Sequence, residues 1–366
     1  DQPVEPREVL CGICWHTPEL LRPLGGEAQK VYLSQMLCML RGFAMQYDVK
    51  TLGKSVMDGQ AILFADALSL AQEEDFDALL EASQCVREKY CQNRVTLCSI
   101  MNAKSGMCSE DCRFCAQSGH YTTGVQVYPI TSFESALRAA VIAESHGIQR
   151  FALVTSGKKL NDREFSKILE IIHGLRRTVK IELCASLGAL TRERAEELKE
   201  AGITRYHHNV ETSSDYFPQI CTTHTYLDRI ETIRTVIAAG IEPCCGGIIG
   251  LGESMEQRIR LAFEIKAMGV KSIPLNILNP IPGTPLEHMP RLAPDEILRT
   301  IAMFRLIIPD SELRYAGGRC ALGDKQRLGL IAGISSVMVG NFLTTAGNDI
   351  SQDLAMIKYY SGREEK

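Results

Sequence analysis

From about residue 94 onward, short runs rich in β-branched residues alternate with stretches whose apolar residues recur every three or four positions. The runs predict strands at Arg94–Met101, Arg150–Thr155, Lys180–Ala185, Thr204–Val210, Glu242–Gly250, Ser272–Leu278, Glu312–Ala316 and Ser336–Gly340. Intervening windows, such as SFESALRAAVIAESHG from Ser132 and LDRIETIRTVIAAG ending at Gly240, predict amphipathic helices. A weak repeat marks the junctions: Gly147-Ile148, Gly202-Ile203, Gly240-Ile241 and Gly269-Val270 each read as a helix end followed by a strand start. Eight such units predict an α/β fold, a complete (βα)8 barrel of the TIM type with its chemistry at the C-terminal strand ends. The first 90 residues carry helical patterns around Ala28–Gln46 and Thr51–Tyr90 and no convincing strand. The expected organisation is an N-terminal extension over 1–50, a helical layer over 51–90, the barrel over 91–360 and a short tail over 361–366.

Charge and composition narrow the function. Lys and Arg number 40 against 44 Asp and Glu, a net charge of −4, so no polycation is available to neutralise a phosphate backbone. Nucleic acid is not an expected partner. No apolar window reaches 18 residues, and no basic stretch leads into an apolar run, so neither a membrane span nor a secretory signal is expected. A reduced, cytoplasmic setting follows as the expectation. Fourteen cysteines then need a chemical reason, because a chain long enough for its own core has no use for disulfide staples. At this density, reduced thiols point to metal or cluster ligands.

The informative set is Cys108-Ser-Glu-Asp-Cys112-Arg-Phe-Cys115, just after the first predicted strand. Three thiolates on one short loop can hold three irons of a [4Fe–4S] cube and leave the fourth open to a small chelating molecule. A structural zinc would need a fourth ligand at suitable spacing, and none stands there. Cys11, Cys14 and Cys38 lack a second CxxC pair and read as structural or incidental. Cys85, Cys91 and Cys221 read as small buried side chains.

The CxxxCxxC triplet, with Phe114 between its second and third cysteines, resembles the cluster motif of the radical S-adenosylmethionine (SAM) superfamily. Longer matches resemble the biotin synthase family: AKSGMCSEDCRFCAQS from Ala103, YHHNVETS from Tyr206, CTTHTYLDRIETI from Cys221, CCGGIIGLGE from Cys244, SIPLNILNPIPGTPL from Ser272, LRYAGGR from Leu313 and FLTTAGN from Phe342. The resemblance implies that SAM chelates the open iron and is cleaved to a deoxyadenosyl radical. Such radicals remove hydrogen from dethiobiotin, and an auxiliary iron–sulfur cluster donates the sulfur. It also implies a reductant such as flavodoxin or ferredoxin, iron–sulfur assembly machinery and a homodimer.

By matching position, Cys108, Cys112 and Cys115 hold the cube, while Phe114, Asn209, Glu211, Arg229, Gly246 and Gly247 surround SAM. Glu211 stands where relatives carry aspartate. On helical pattern alone, Arg229 is a solvated charge on an amphipathic face. Gly246 and Gly247 allow close backbone approach to a ligand, in a segment without the lysine of a phosphate loop. Asn209, Asn276, Thr344 and Thr345 match positions facing dethiobiotin. His208 belongs to the resemblance, and His207 reads as a packing residue.

The chain departs from the family at the auxiliary cluster. Cys184, Cys244 and Arg314 match its ligands, but Ala152 replaces the cysteine of the second strand, and a methyl group cannot ligate iron. The expected substitute is Cys98 on strand one, so that Cys98, Cys184 and Cys244 hold either a [2Fe–2S] or a four-iron, sulfur-donating cluster, with Arg314 or Cys320 beside it. Alternation turns Cys244 inward and Cys245 outward unless the strand is bulged. Two rivals stand beside this reading: another radical SAM barrel enzyme acting on an amino acid or metallocofactor precursor, and a non-catalytic iron–sulfur or zinc scaffold.

Overall fold

Parallel strands β1 (Thr96–Lys104), β2 (Arg150–Thr155), β3 (Glu182–Ser186) and β4 (Ile203–His207) lead into a fifth stave made of two pieces, β5 (Glu242–Cys244) and β6 (Gly247–Ile249). β7 (Ser272–Ile277), β8 (Glu312–Tyr315) and β9 (Ser336–Met338) complete the set. The structure, a computed structural model, describes residues 48–360 except 93, 341, 342, 345, 346 and 348. Neighbours run β5-β4-β3-β2-β1-β9-β8-β7-β6, and pairing of Cys244 with Ser272 joins β5 to β7 and closes the ring. The (βα)8 barrel is therefore present. Its fifth strand is interrupted at Cys245-Gly246, where Glu242–Gly250 reads as one unbroken run. Gly246 lies so close to β7 that an added Cβ would stand 1.9 Å from the Pro274 carbonyl oxygen.

Helices α1 (Val49–Met57), α2 (Phe64–Leu70) and α3 (Phe76–Cys91) precede the barrel. The predicted stretch Thr51–Tyr90 thus holds three helices, the first and third started by aspartate caps, Asp48 accepting from the Thr51 amide and Asp75 from that of Ala78. The predicted helix at Ala28–Gln46, Cys11, Cys14, Cys38 and the tail over 361–366 lie outside the described residues. The crossover helices are α4 (Phe133–Ser145), α5 (Asp162–Thr178), α6 (Arg192–Ala201), α7 (Tyr226–Ala238), α8 (Met255–Ala267) and α9 (Pro294–Ile307); α10 (Leu328–Ile331) and α11 (Ile350–Tyr360) flank β9. Hydroxyl or amide caps start five of them, at Ser132, Asn161, Thr191, Thr225 and Ser254, each stabilising its helix by about 1 kcal/mol. The four junction glycines, 147, 202, 240 and 269, all adopt positive φ, which a Cβ would oppose.

Outward strand residues such as Phe151, Leu183, Leu313 and Val337 are buried beneath the helices. α3 braces the approach to β9: Arg87 Nε donates to the Ile334 carbonyl (2.6 Å) and Ser83 Oγ to that of Ala332 (2.7 Å). Inward residues at the N-terminal end of the barrel are charged. Arg205 on β4 bonds Glu242 (2.8 Å) and Glu312 (2.9 Å), Arg314 pairs with Glu312, and Arg150 pairs with Glu182. β4 and β8 are not neighbours in the sheet, so the Arg205–Glu312 pair crosses the lumen and forms its floor. No described helix is long and apolar enough to cross a membrane.

Candidate active site

The chain leaves β1 into a loop that carries Cys108, Cys112 and Cys115 over the C-terminal mouth of the barrel. Backbone bonds hold it: the Cys108 amide donates to Gln117 O (2.9 Å), Gly119 to Cys108 O (2.7 Å) and Cys115 to Cys112 O (2.9 Å). The Gln117 side-chain oxygen accepts from the Gly106 amide (3.2 Å). Phe114 anchors the loop in an apolar cluster with Ile220, Leu251, Leu278 and Leu286. Burial raises the Cys115 thiol to about 11. Cys112 lies 3.7 Å, sulfur to sulfur, from Cys221, whose Sγ is 3.2 Å from His224 Nδ1. The hydrogen bond from Cys112 draws Cys221 toward the thiolate, while Cys112 itself is pushed up. The donor set suits iron. A ligand is also called for by buried Asn102 Oδ1 and Thr155 Oγ1, at the ends of β1 and β2, which have no hydrogen-bond partner.

Beside this loop, Arg229 of α7 is nearly buried rather than solvated. It donates to Asn209 O (3.2 Å), pairs with Glu211 (3.3 Å) and reaches His224 Nε2 (3.1 Å). Asn209 Oδ1 accepts from the Gly246 amide (3.0 Å), and its Nδ2 donates to Glu211 (3.3 Å). Glu211 holds a left-handed φ of 67°, costly for a glutamate and fixed by the bond from the Ile248 amide to its carbonyl (2.7 Å). The two glycines have reasons within the chain: an added Cβ at Gly247 would stand 2.5 Å from Glu211 O and 2.9 Å from Leu261 Cδ2. Gly247→Ala is expected to displace Glu211 and to lower stability by about 1–3 kcal/mol in urea denaturation.

Deeper in the lumen stand the other thiols. Cys244 Sγ accepts from Arg314 on β8 (3.3 Å) and from Ser272 Oγ on the adjoining β7 (3.3 Å), and His207 is its pair on β4. Burial alone would raise Cys244, yet Arg314 and His207 outweigh it and bring the thiol down to about 6. Cys184 is pushed up to about 12 by burial, and Cys98 is raised for the same reason, with Arg314 and Cys244 both close enough to act on it. Cys98 packs with Ala316, Met338 and Ile100, and Cys184 with Ala152, Val154, Ile100 and Leu343, so Ile100 separates the two thiols' surroundings. Cys245, in the strand break, is fully buried, and its amide donates to Ser272 O (3.0 Å). Cys320 is exposed, unlike the buried thiols.

Above them, Asn276 donates to Gly247 O (3.2 Å) and accepts from the Gly317 amide (2.9 Å). Thr344 is exposed, and Thr345 lies outside the described residues. Leu343 reaches over the mouth, its carbonyl accepting from Asn102 Nδ2 (3.3 Å).

Residues 104–265 match the radical SAM superfamily, and residues 274–361 match the biotin and thiamin synthesis associated domain. A biotin synthase of Acetivibrio thermocellus is 56% identical over 315 residues, covering 85% of this chain and 98% of its own. The chain belongs to the biotin synthase family. A second biotin synthase, of Clostridioides difficile, is 49% identical over 317 residues, covering 85% of this chain and 97% of its own. Among solved structures, methylornithine synthase (PylB) superposes with a TM-score of 0.74 at 18% identity, covering 84% of this chain and 95% of its own. The hydrogenase maturase HydG also gives 0.74, at 16% identity, covering 91% of this chain and 78% of its own. These two share the fold.

For a biotin synthase family chain, sequence reading left several residues in minor roles that the geometry enlarges. His207 stands opposite Cys244 in the β4–β5 pairing and helps to lower its thiol, a placement that its spacing from Asn209 on alternate strand positions could have suggested. Cys221 is buried as expected but sits against Cys112, 109 residues away in sequence, and no local pattern signals that. Asn102 and Thr155 stand at barrel strand ends, where side chains have first claim on function.

Proposed function

We propose that this chain converts dethiobiotin to biotin by radical SAM sulfur insertion. The observation that carries the reading is two thiol sets at two depths of one barrel, on a chain 56% identical to a biotin synthase. When bound, the cube and SAM supply a deoxyadenosyl radical, and a second cluster supplies sulfur. Cys108, Cys112 and Cys115 are the residues for the cube, and Cys98, Cys184 and Cys244, with Arg314, those for the sulfur source. Its nuclearity, [2Fe–2S] or four-iron, is open to the same test.

Asn209, Glu211 and Arg229 orient SAM. Arg229 now spends its donors on Asn209 O and Glu211, and a ligand carboxylate can take them over as a charge-assisted pair. Asn276, Thr344 and Thr345 orient dethiobiotin, with the unpartnered oxygens of Asn102 and Thr155 available to its ureido N–H groups. Ile100, Val154, Met338 and Leu343 line the space between the two levels with apolar surface, which keeps water from a reactive carbon centre. A reduced cytoplasmic setting, a flavodoxin- or ferredoxin-type donor, iron–sulfur assembly machinery and a homodimer accompany this reading.

The test is an anaerobic assay of reconstituted protein with SAM, a low-potential reductant and dethiobiotin, scoring biotin and 5′-deoxyadenosine together by mass spectrometry. Biotin, with one deoxyadenosine for each C–H bond replaced, is the expected result, and iron and sulfide counts give the nuclearity. Deoxyadenosine without biotin from fully loaded protein would move the proposal to another substrate.

A further inference from the structure

Among the described residues, a single group of three thiol, imidazole or carboxylate side chains is close enough to share one ion: Cys112, Cys221 and His224, all within 4.8 Å. Two of the three come from Cys221-Thr-Thr-His224, a CxxH spacing that the proposed activity does not use. At metal–sulfur and metal–nitrogen lengths of about 2.3 and about 2.05 Å, a tetrahedral ion sets its sulfurs about 3.8 Å apart and sulfur and nitrogen about 3.6 Å apart. The observed separations are 3.7 Å between the sulfurs and 3.2 Å from Cys221 Sγ to His224 Nδ1. The pocket is buried: the side chains of His224 and Glu110 are 6% and 8% exposed.

Two carboxylates border the pocket. Glu110 Oε2 is 2.6 Å from His224 Nδ1 and accepts from Thr223 Oγ1 (2.9 Å). Asp111 Oδ1 lies 3.2 Å from Cys221 Sγ and accepts from the Thr222 amide (2.9 Å), tying the CxxH loop to the cluster loop. A cube holds its thiolates farther apart than a single ion does, so the pairing of Cys112 with Cys221 is not cube geometry.

We propose that in the cluster-free chain Cys112, Cys221 and His224 bind one thiophilic divalent cation, such as ferrous iron or zinc, with Glu110 as the adjacent carboxylate. Binding takes both sulfurs as thiolates and releases to solvent the proton that lies between them. The imidazole proton passes from Nδ1 to Nε2 as Arg229 turns to its other acceptors, Asn209 O and Glu211. Because Cys112 is common to both sites, occupancy by a single ion and by the cube exclude each other; that exclusion rests on the cube reading above, whereas the ion site does not.

Cobalt(II) is the probe, added anaerobically to the reduced, cluster-free full chain. The expected result is a single cobalt equivalent with the visible d–d bands of a tetrahedral thiolate site, lost from the spectrum in Cys221→Ala and in His224→Ala and kept in Cys108→Ala. Bands that survive in both Cys221→Ala and His224→Ala overturn the site, as do bands lost in Cys108→Ala. For the exclusion, one equivalent of zinc added first is expected to slow growth of the reduced-cube electron paramagnetic resonance signal at least about threefold, and to have no such effect in Cys221→Ala. Equal rates with and without zinc in the unaltered chain overturn the exclusion. A failure of the cube reading shows separately, as no signal in either protein without zinc.

Discussion

Cys98→Ala is expected to abolish biotin formation while leaving reductive cleavage of SAM largely intact. Cys98 stands on β1 opposite Arg150, two register pairs below Ala152, the position at which the resemblance implies a thiol. It is buried, and it lies close enough to Arg314 and Cys244 for both to act on its ionisation. Cys108, Cys112 and Cys115 belong to a loop beyond the other end of the same strand, so removing a sulfur from the lumen leaves the cube ligands in place. The loss should appear in three measurements on reconstituted protein: fewer irons per chain, an unchanged reduced-cube signal, and deoxyadenosine without biotin. Full biotin yield from the variant would remove Cys98 from the sulfur source. Arg314→Met is the companion: without the guanidinium, Cys244 loses the charge that holds its thiolate, so auxiliary iron should fall while the cube remains.

Arg205→Met is expected to lower stability by about 3 kcal/mol, the low end for breaking a buried ion pair. Arg205 is almost fully buried and serves Glu242 and Glu312 together. Methionine fills the volume but leaves both carboxylates short of a partner; the discount reflects Glu242, which is 39% exposed and can rehydrate, and Glu312, which keeps Arg314. The sign with pH follows from Glu312. Burial would raise its carboxyl, but Arg314 and Arg205 prevail and lower it from 4.5 to about 2. A carboxylate lowered on folding stabilises the fold above its unfolded value, and that contribution drains away as pH falls from about 4.5 toward about 2. The gap between parent and variant in urea denaturation should therefore be widest near neutrality and narrow across that window. A gap that is constant with pH would show the floor to be held by packing rather than charge.

Much of the barrel was legible because its signals are local. β2 spans Arg150–Thr155 as the β-branched run predicts, and the junction glycines take the left-handed backbone that their place after a helix demands. The break in the fifth strand was not legible, because it comes from contact with Pro274 on β7, a residue whose proximity no run of residues 242–250 encodes. The same distinction governs the site. CxxxCxxC is a spacing motif and reads directly, whereas the partnership of Cys112 with Cys221, the reach of Arg314 past β7 to Cys244 and the burial of Arg229 exist only after the barrel has closed. Arg229 shows the reason clearly: an arginine on an amphipathic helix looks solvated until the loop after β4 supplies Asn209 O and Glu211 as acceptors.

The ionic floor has a consequence for traffic. With Arg205, Glu312 and Arg314 knitted across the narrow end, the lumen formed by the described residues is a well floored by charge, with the cysteine loop and Leu343 at its other end. Whatever reaches Cys98, Cys184 and Cys244 has to pass the levels assigned to SAM and dethiobiotin. On the proposed function, replacement sulfur and iron would therefore queue behind the spent reactants, and refilling the well would begin only after the finished product has left.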